Sequence, residues 1–416
     1  VRPIGQVVKV VGLVTESEGP SASVGEVCLV ETSEGKRPAE VVGFRNNRVL
    51  LMPLGEMAGI TPGAMVIATG QPARVSVGNG LLGRILGGLG DPIDGLGPLQ
   101  VEDSRPITAQ PPNALSRDRI TKPIATGIRS IDAVLTLGKG QRMGIFAGSG
   151  VGKSIAMGMI ARNTSADVTV VALVGERGRE VREFLERDLG EEGLKRSVVV
   201  IATSDQPALV RIKASLVATT IAEYFRDQGA DVMLMMDSIT RLALAQREIG
   251  LSVGEPPTTR GFTPSVFAMM PKLLERAGTS DNGSITGLYT VLVEGDDLDE
   301  PVSDHLRSIL DGHIVLSRQL ASLGHYPSVD ILPSISRVMI DVVPEDHMNA
   351  AKHVKEVVST YREAEDLINI GAYAKGSNPK IDFAISANEN INTFLQQGIY
   401  EKAPFDETRA NLLNLL

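Results

Sequence analysis

The sequence predicts an α/β protein in three zones. A small β-barrel is expected over residues 1–73, a parallel sheet flanked by helices over 74–344, and a helical zone over 345–416. Three observations predict this. Short β-branched and apolar runs separated by turn residues fill the first zone. Continuous apolar runs alternate with helix-period segments from about Ile120 to Val343, as buried parallel strands and their crossover helices do. A 3.6-residue apolar period takes over after that.

In the first zone the runs are Val7–Val14, Val24–Val30, Ala39–Phe44 and Arg48–Pro53, punctuated by Gly19-Pro20, Glu34-Gly35, Asn46-Asn47 and Pro62-Gly63. Gly78–Pro112 is rich in Gly and Pro and reads as a linker (74–119) wrapped on the second zone. The expected parallel strands are Arg142–Ala147, Val168–Val174, Ser197–Ala202, Val232–Met236 and Leu288–Val293. Helices are expected at Pro207–Arg226, where Leu209, Ile212, Leu216, Val217 and Ile221 share a face, and at Ile239–Glu248. In the last zone Val354, Val357, Val358, Tyr361, Leu367 and Ile370 carry the helical period, and Gly371–Pro379 breaks it.

Composition narrows the function. The 416 residues are 43% hydrophobic and 22% charged, as in water-soluble globular proteins, and a formal charge of −9 argues against wholesale attraction to nucleic acid or acidic membrane. The barrel zone carries 6 Lys/Arg against 7 Asp/Glu and one aromatic residue, Phe44, which leaves little for an oligonucleotide platform. Cys28 is the only cysteine, so no intrachain disulfide forms and a reducing compartment fits; the residue reads as apolar filler. No signal peptide and no apolar run long enough for a bilayer is found. The chain opens at Val1 rather than Met, and a removed upstream segment is expected.

The chemistry begins at Ile145–Ser154, where an apolar strand runs through Ala147-Gly148-Ser149-Gly150-Val151-Gly152-Lys153-Ser154 into a helix. This is the context of a P-loop: small residues let successive N–H groups of Gly148, Ser149, Gly150, Val151 and Gly152 turn into one nest at a helix N-terminus, which binds polyphosphate. Lys153 supplies a point charge for the outer phosphates, and the Ser154 hydroxyl is a Mg²⁺ ligand of the right kind. The first motif position is Ala147 rather than Gly, a change of one methyl. Phosphoryl transfer to water also needs a positioned water and a supported metal. Glu176, after the strand Val168–Val174, is placed beside the P-loop if the two strands are neighbours; the other reading is a solvated charge cluster opening a helix. Asp237, after Val232–Met236, is the expected metal support, a reading compatible with capping the helix that starts at Ile239. Asp296, Asp297, Asp299 and Glu300 form either a second metal site or a polar loop.

Taken together, Gly148–Ser154, Gly175-Glu176-Arg177, Met236–Arg241, Gly324-His325-Tyr326-Pro327 and Ser334–Val338 resemble the rotary ATP synthase subunits and their relatives. Ala245–Ile249, Gly254–Pro257, Pro264–Ala268 and Leu274–Gly278 resemble the bacterial flagellar protein-export ATPase and its type III secretion homologue, with Gly324–Pro327 tilting toward the flagellar member. The resemblance covers nearly the whole chain. It implies an N-terminal β-barrel, a central RecA-like domain and a C-terminal helical domain. It also implies a homohexamer with Mg-ATP at subunit interfaces. By matching position, Glu176 is the water-activating glutamate, with Arg177 beside it at the phosphate end, and Asp237 is the metal-supporting acid. Arg337 is the arginine entering the neighbour's site, and Tyr326 packs on adenine. Phe394 and Gln397 fall where the C-terminal domain closes the adenine pocket. From the residues alone, Tyr326 reads as a core or turn aromatic and Arg337 as a surface ion-pair residue. Glu176 and Arg337 in one chain make each subunit able to hydrolyse and to activate its neighbour, so an isolated monomer is expected to be a poor ATPase.

The resemblance further implies a regulatory subunit on the N-terminal segment, a central stalk protein, export substrates and chaperones at the C-terminal domain, and a cytoplasmic site touching a membrane export gate at the inner face of the cell membrane, with no nucleic acid partner. Ser252–Phe262, rich in Gly and Pro, reads as a loop lining a central channel, the alternative being a rigid surface loop. Competing functions are a virulence-type secretion ATPase, a proton-coupled synthase subunit, an RNA-translocating RecA-like hexamer and a non-catalytic nucleotide-binding ring subunit.

Overall fold

The computed structural model of the chain describes residues 4–293, 295 and 297–415. Six antiparallel strands close a barrel, in the order Ile4–Val11, Val14–Glu18, Arg48–Pro53, Gly35–Arg45, Glu26–Thr32 and Met65–Pro72, with the last pairing back to the first. Their alternate residues (Val7, Cys28, Val30, Val41, Leu51, Val66) fill the interior. The expected run Val7–Val14 is split: Gly12, at φ 58°, turns the chain between two strands. Apolar residues on both sides of that turn hid it. Asn46 and Asn47, both at positive φ, close the next hairpin as the residue pair suggests.

The central sheet runs in the order Val329–Ser336, Gly312–Leu316, Arg142–Ala147, Ser284–Leu292, Asp231–Asp237, Val168–Val174, Ser197–Ala202 and Ile85–Gly87. These strands pair parallel except that Val329–Ser336 returns antiparallel on Gly312–Leu316. Val168–Val174 is buried at every position, which explains its unbroken apolar run. Ile85–Gly87, inside the expected linker, adds an edge strand. It is held by Arg84, whose guanidinium forks onto both Asp94 carboxylate oxygens at 2.7 and 2.9 Å.

Helices Glu345–Asn369, Pro379–Leu395 and Phe405–Leu413 form the C-terminal zone. Val354 and Val357 pack with Ala384 and Ile391, as their period predicts. Leu367 and Ile370 do not follow: both are exposed at the helix end, beyond the reach of the second helix. Glu40 of the barrel and Lys213 of the helix Ala208–Asp227 form a buried ion pair at 2.5 Å, tying the first zone to the second.

Candidate active site

The P-loop strand Arg142–Ala147 ends in the loop expected of it, and helix Lys153–Asn163 begins at its far side. Gly150 and Gly152 sit at φ 77° and 90°, conformations a side chain resists. A Cβ on Gly152 would also stand 3.3 Å from the Tyr326 ring. Val151 turns its side chain into the core, and its carbonyl accepts the Ser328 hydroxyl at 2.6 Å, so the tyrosine-bearing segment is stitched to the loop.

Glu176 and Asp237 arrive at the loop by a route the sequence did not reveal. The strand of Glu176 is not the neighbour of the P-loop strand: Ser284–Leu292 and Asp231–Asp237 lie between them. The carboxylates still converge because all four strands are parallel and end at one edge. Lys153 Nζ donates to Asp237 Oδ1 and lies 3.5 Å from Glu176 Oε1. Thr290, on the intervening strand, donates its hydroxyl to the same Asp237 oxygen at 2.7 Å. Asp237 does not cap the following helix; Ser238 does, accepting from Arg241 N–H, which leaves the Asp237 carboxylate to face the lysine.

Glu176 and Asp237 are only 6% and 4% exposed. Burial first, and the Asp237 charge second, push the Glu176 carboxyl up to about 7, against the pull of Lys153 and Arg241. Burial alone would lower the Lys153 ammonium, but Asp237 and Glu176 outweigh it and hold it above its ordinary value. Glu176 Oε1 is buried without a hydrogen-bond partner among the described residues, and Arg241 Nε stands 3.9 Å from it.

A cleft of about 680 Å³ is lined by Gly148, Lys153, Ser154, Glu176, Arg177 and Tyr326, among others. It also takes in Glu180, Arg187, Arg241 and Arg318, to which the sequence reading assigned no role. Only Arg241 carried a signal, its fixed place four residues after Asp237. Arg177 is largely exposed and leans on Glu180 at 3.4 Å. A second cavity of about 510 Å³ adjoins at Gly152 and Tyr326 and is walled by Ile155, Ala156, Met159, Gln396–Ile399 and Glu401. Tyr326, 41% exposed, stands between the two.

The remaining expected site residues lie outside this cleft. Phe394 is 8% exposed, lies in the core under the Arg129 guanidinium and does not line the second cavity. Gln397 reaches the cavity wall, but its amide is used up: Oε1 accepts from Arg129 N–H at 2.8 Å, and Nε2 donates to the carbonyls of Gly127 and Glu401 at 2.9 Å. Its own N–H donates to Tyr326 O at 2.9 Å. It therefore acts as a clasp rather than an open amide. Arg337 is far from this cleft, at the opposite end of the sheet, beside Asp311. In the acidic run, Asp297 pairs with Arg260 at 3.1 Å and Asp299 with Arg307 at 3.5 Å, as a polar loop does; Asp296 lies outside the described residues.

The ATP synthase alpha/beta family, nucleotide-binding domain, matches residues 127–336, and that family's beta-barrel domain matches 7–70. This chain belongs to the ATP synthase alpha/beta family. Within the family, the T3SS EscN ATPase C-terminal domain matches residues 343–414. The flagellum-specific ATP synthase of Bacillus subtilis (strain 168) is 56% identical over 420 residues, covering 99% of this chain and 94% of that protein. The type 3 secretion system ATPase of Xanthomonas euvesicatoria is 51% identical over 409 residues, covering 98% and 92%. The assembled ATPase EscN of the enteropathogenic E. coli type III secretion system superposes with a TM-score of 0.94 at 45% identity over 99% of each chain. EscN in complex with its central stalk EscO gives 0.92, at the same identity and coverage. The P-loop, Glu176, Asp237 and Arg337 all fall inside or one residue beyond the family's nucleotide-binding match. Among the described residues, no helix is long and apolar enough to cross a membrane.

Proposed function

We propose that this chain is an ATP hydrolase that energises protein export by the flagellar type III apparatus, working as a ring of identical subunits. The observation that carries the reading is the convergence of Lys153, Asp237 and a high-pKa Glu176 on one nest of backbone N–H groups. The triphosphate lies in the nest of Gly148–Gly152, and Lys153 leaves Asp237 to meet its outer phosphates. Glu176, ionised, orients the attacking water and accepts its proton. Arg177 adds positive charge at the mouth of the cleft. The base enters the second cavity and packs on Tyr326; Gln397 forms part of that wall and Phe394 supports it from behind.

The oxygens offered here suit Mg²⁺. Asp237 is a buried carboxylate, Glu176 Oε1 has no hydrogen bond among the described residues though Lys153 Nζ lies 3.5 Å away, and Ser154 lines the cleft beside the lysine. Among the described residues no three His, Cys, Asp or Glu side chains gather to hold a metal, which fits a cation that arrives with the phosphates and keeps several waters. Ser154 and Asp237 would hold it, Asp237 through water, and it would supply neutralisation of developing phosphate charge.

Arg337 acts in the adjoining protomer. It follows a strand whose last residue, Ser336, pairs with Gly312, whereas the P-loop end of the sheet is marked by Leu316 beside Ala147. The five residue steps from Arg142 to Ala147 span roughly 17 Å, so Arg337 is out of reach of its own phosphates. Among the described residues it has no carboxylate partner. The ring, a stalk in its centre as EscN has EscO, a regulator on the N-terminal segment, chaperone-bound cargo at the C-terminal helices and a cytoplasmic position against a membrane export gate complete the reading. Service to a virulence-type apparatus is the second reading, favoured by the type 3 secretion system ATPase at 51% identity. Glu176→Gln tests the enzymatic claim: hydrolysis is expected to fall by at least about 10³-fold while ATP stays bound, because only the water-orienting group is lost. Turnover near the wild-type rate would refute it. Restored motility on expression in a flagellar-ATPase deletion strain separates the two apparatuses.

A further inference from the structure

We propose that Asp311 is a positioning residue for Arg337, fixing the backbone from which that arginine departs to the base of the P-loop strand. This rests on the reading of Arg337 as a cation lent to the neighbouring protomer.

The guanidinium of Arg337 is exposed, and among the described residues its one hydrogen bond is a donation to the Arg307 carbonyl at 3.2 Å. Its backbone is held very differently. Arg337 N–H donates to the Asp311 carbonyl at 3.0 Å, and the same oxygen accepts Gln141 Nε2 at 3.1 Å. That Gln141 amide also donates to the Ser336 hydroxyl at 3.0 Å, and Ser336 in turn donates to the Thr136 carbonyl at 2.9 Å. The Asp311 carboxylate is gripped by Arg142 three times: the backbone N–H and Nε reach Oδ2 at 3.0 Å, and Nη2 reaches Oδ1 at 3.2 Å. Asp311 N–H completes the pairing on the Arg142 carbonyl at 2.9 Å.

Arg142 is the first residue of the strand that ends at Ala147 and the phosphate nest. A buried parallel strand is stiff, so its two ends move together. One end holds this protomer's P-loop; the other, through Gln141, Arg142 and Asp311, holds the arginine serving the next protomer. A free arginine searches many rotamers, and pinning its backbone narrows that search to the side chain alone. The arrangement also links a protomer's own phosphate loop to the cation it delivers outward.

The bland alternative is that Arg142 and Asp311 merely hold the sheet together. Epistasis separates the two. The assembled ring is assayed for kcat, KM and melting temperature with Arg337→Ala, Asp311→Asn and the double variant. Asp311→Asn keeps the backbone carbonyl and the side-chain shape but loses the charge that Arg142 grips. Expected is a kcat lowered about tenfold by Asp311→Asn, with KM within about twofold, and no further loss when it is added to Arg337→Ala. Gln141→Ala, which removes a different contact to the same carbonyl, is expected to repeat the pattern if Asp311→Asn does not fold. Losses that multiply in the double variant, or an unchanged kcat in both single variants, would overturn the proposal. If Arg337→Ala alone hydrolyses ATP at the wild-type rate, it is the lent-cation reading that fails, and this inference falls with it.

Discussion

Glu176 shows at the residue scale how burial sets chemistry. Its carboxyl is driven up to about 7 because it has lost water and faces Asp237. A water-orienting carboxylate works ionised, so kcat/KM, which reports the free enzyme, is expected to rise with pH along an acid limb centred near 7. A pH–rate profile checks this, and a limb below about 5 would contradict it. The sign for stability is opposite. An acid whose folded pKa is raised favours the folded state fully below its unfolded value and loses that contribution as pH rises through about 7. Gln397 makes the complementary point. Its amide is spent on Arg129, Gly127 and Glu401, so Gln397→Ala is expected to raise KM for ATP about tenfold by loosening the Tyr326 wall, with kcat little changed. Steady-state kinetics with ATP checks this; a kcat loss at constant KM would argue against the clasp. Glu176 and Asp237 were legible in position because each follows or ends an apolar strand, where parallel sheets put their chemistry, and Lys153 because it closes a glycine-rich strand-to-helix loop. Gln397 does reach the wall of the second cavity, but Phe394 does not, because residue spacing places a side chain near a pocket without saying whether it faces in or is buried behind the wall.

The elements were mostly legible too, where a single physical cause set them. Arg142–Ala147, Val168–Val174 and Ser197–Ala202 match their expected bounds because burial at all or all but one of their positions makes a near-continuous apolar run. The segment after Glu248 departs from expectation. Helix Ile239–Val253 continues five residues further and ends at Gly254, φ 95°. Phe262 is 4% exposed, packed against Phe267 at 6.1 Å and under Arg247 at 5.4 Å. Arg45 of the barrel donates to the Val253 carbonyl at 2.8 Å. Val253 and Phe262 are thus anchors of the loop, and the exposed part is Pro256–Arg260. Phe262→Ala is expected to destabilise the fold by about 3 kcal/mol, measurable by denaturant unfolding. Arg260→Ala is expected to weaken coupling to stalk or cargo while ATP binding is unchanged. Unimpaired motility with that variant would remove the channel role from the loop.

At the scale of the whole molecule, the strand order was the least legible feature. Ser284–Leu292, more than a hundred residues after the P-loop strand, inserts beside it, and nothing in local periodicity encodes such a non-local pairing. That insertion brings Thr290 against Asp237 and leaves two strands between the P-loop strand and the strand of Glu176, which stays in reach of Lys153. The same sheet carries Arg337 off to its other end. The molecule is consequently built with its glutamate and its arginine on opposite sides of the sheet, and on the proposed function a complete site takes two copies. Mixing two separately inactive proteins, Glu176→Gln and Arg337→Ala, tests this most directly. Interfaces pairing an intact glutamate with an intact arginine reappear in mixed rings, at about one in four for equal random mixing. ATP hydrolysis recovering on mixing, in proportion to such interfaces, is the predicted result; no recovery at any mixing ratio, with mixed rings demonstrably formed, would contradict it.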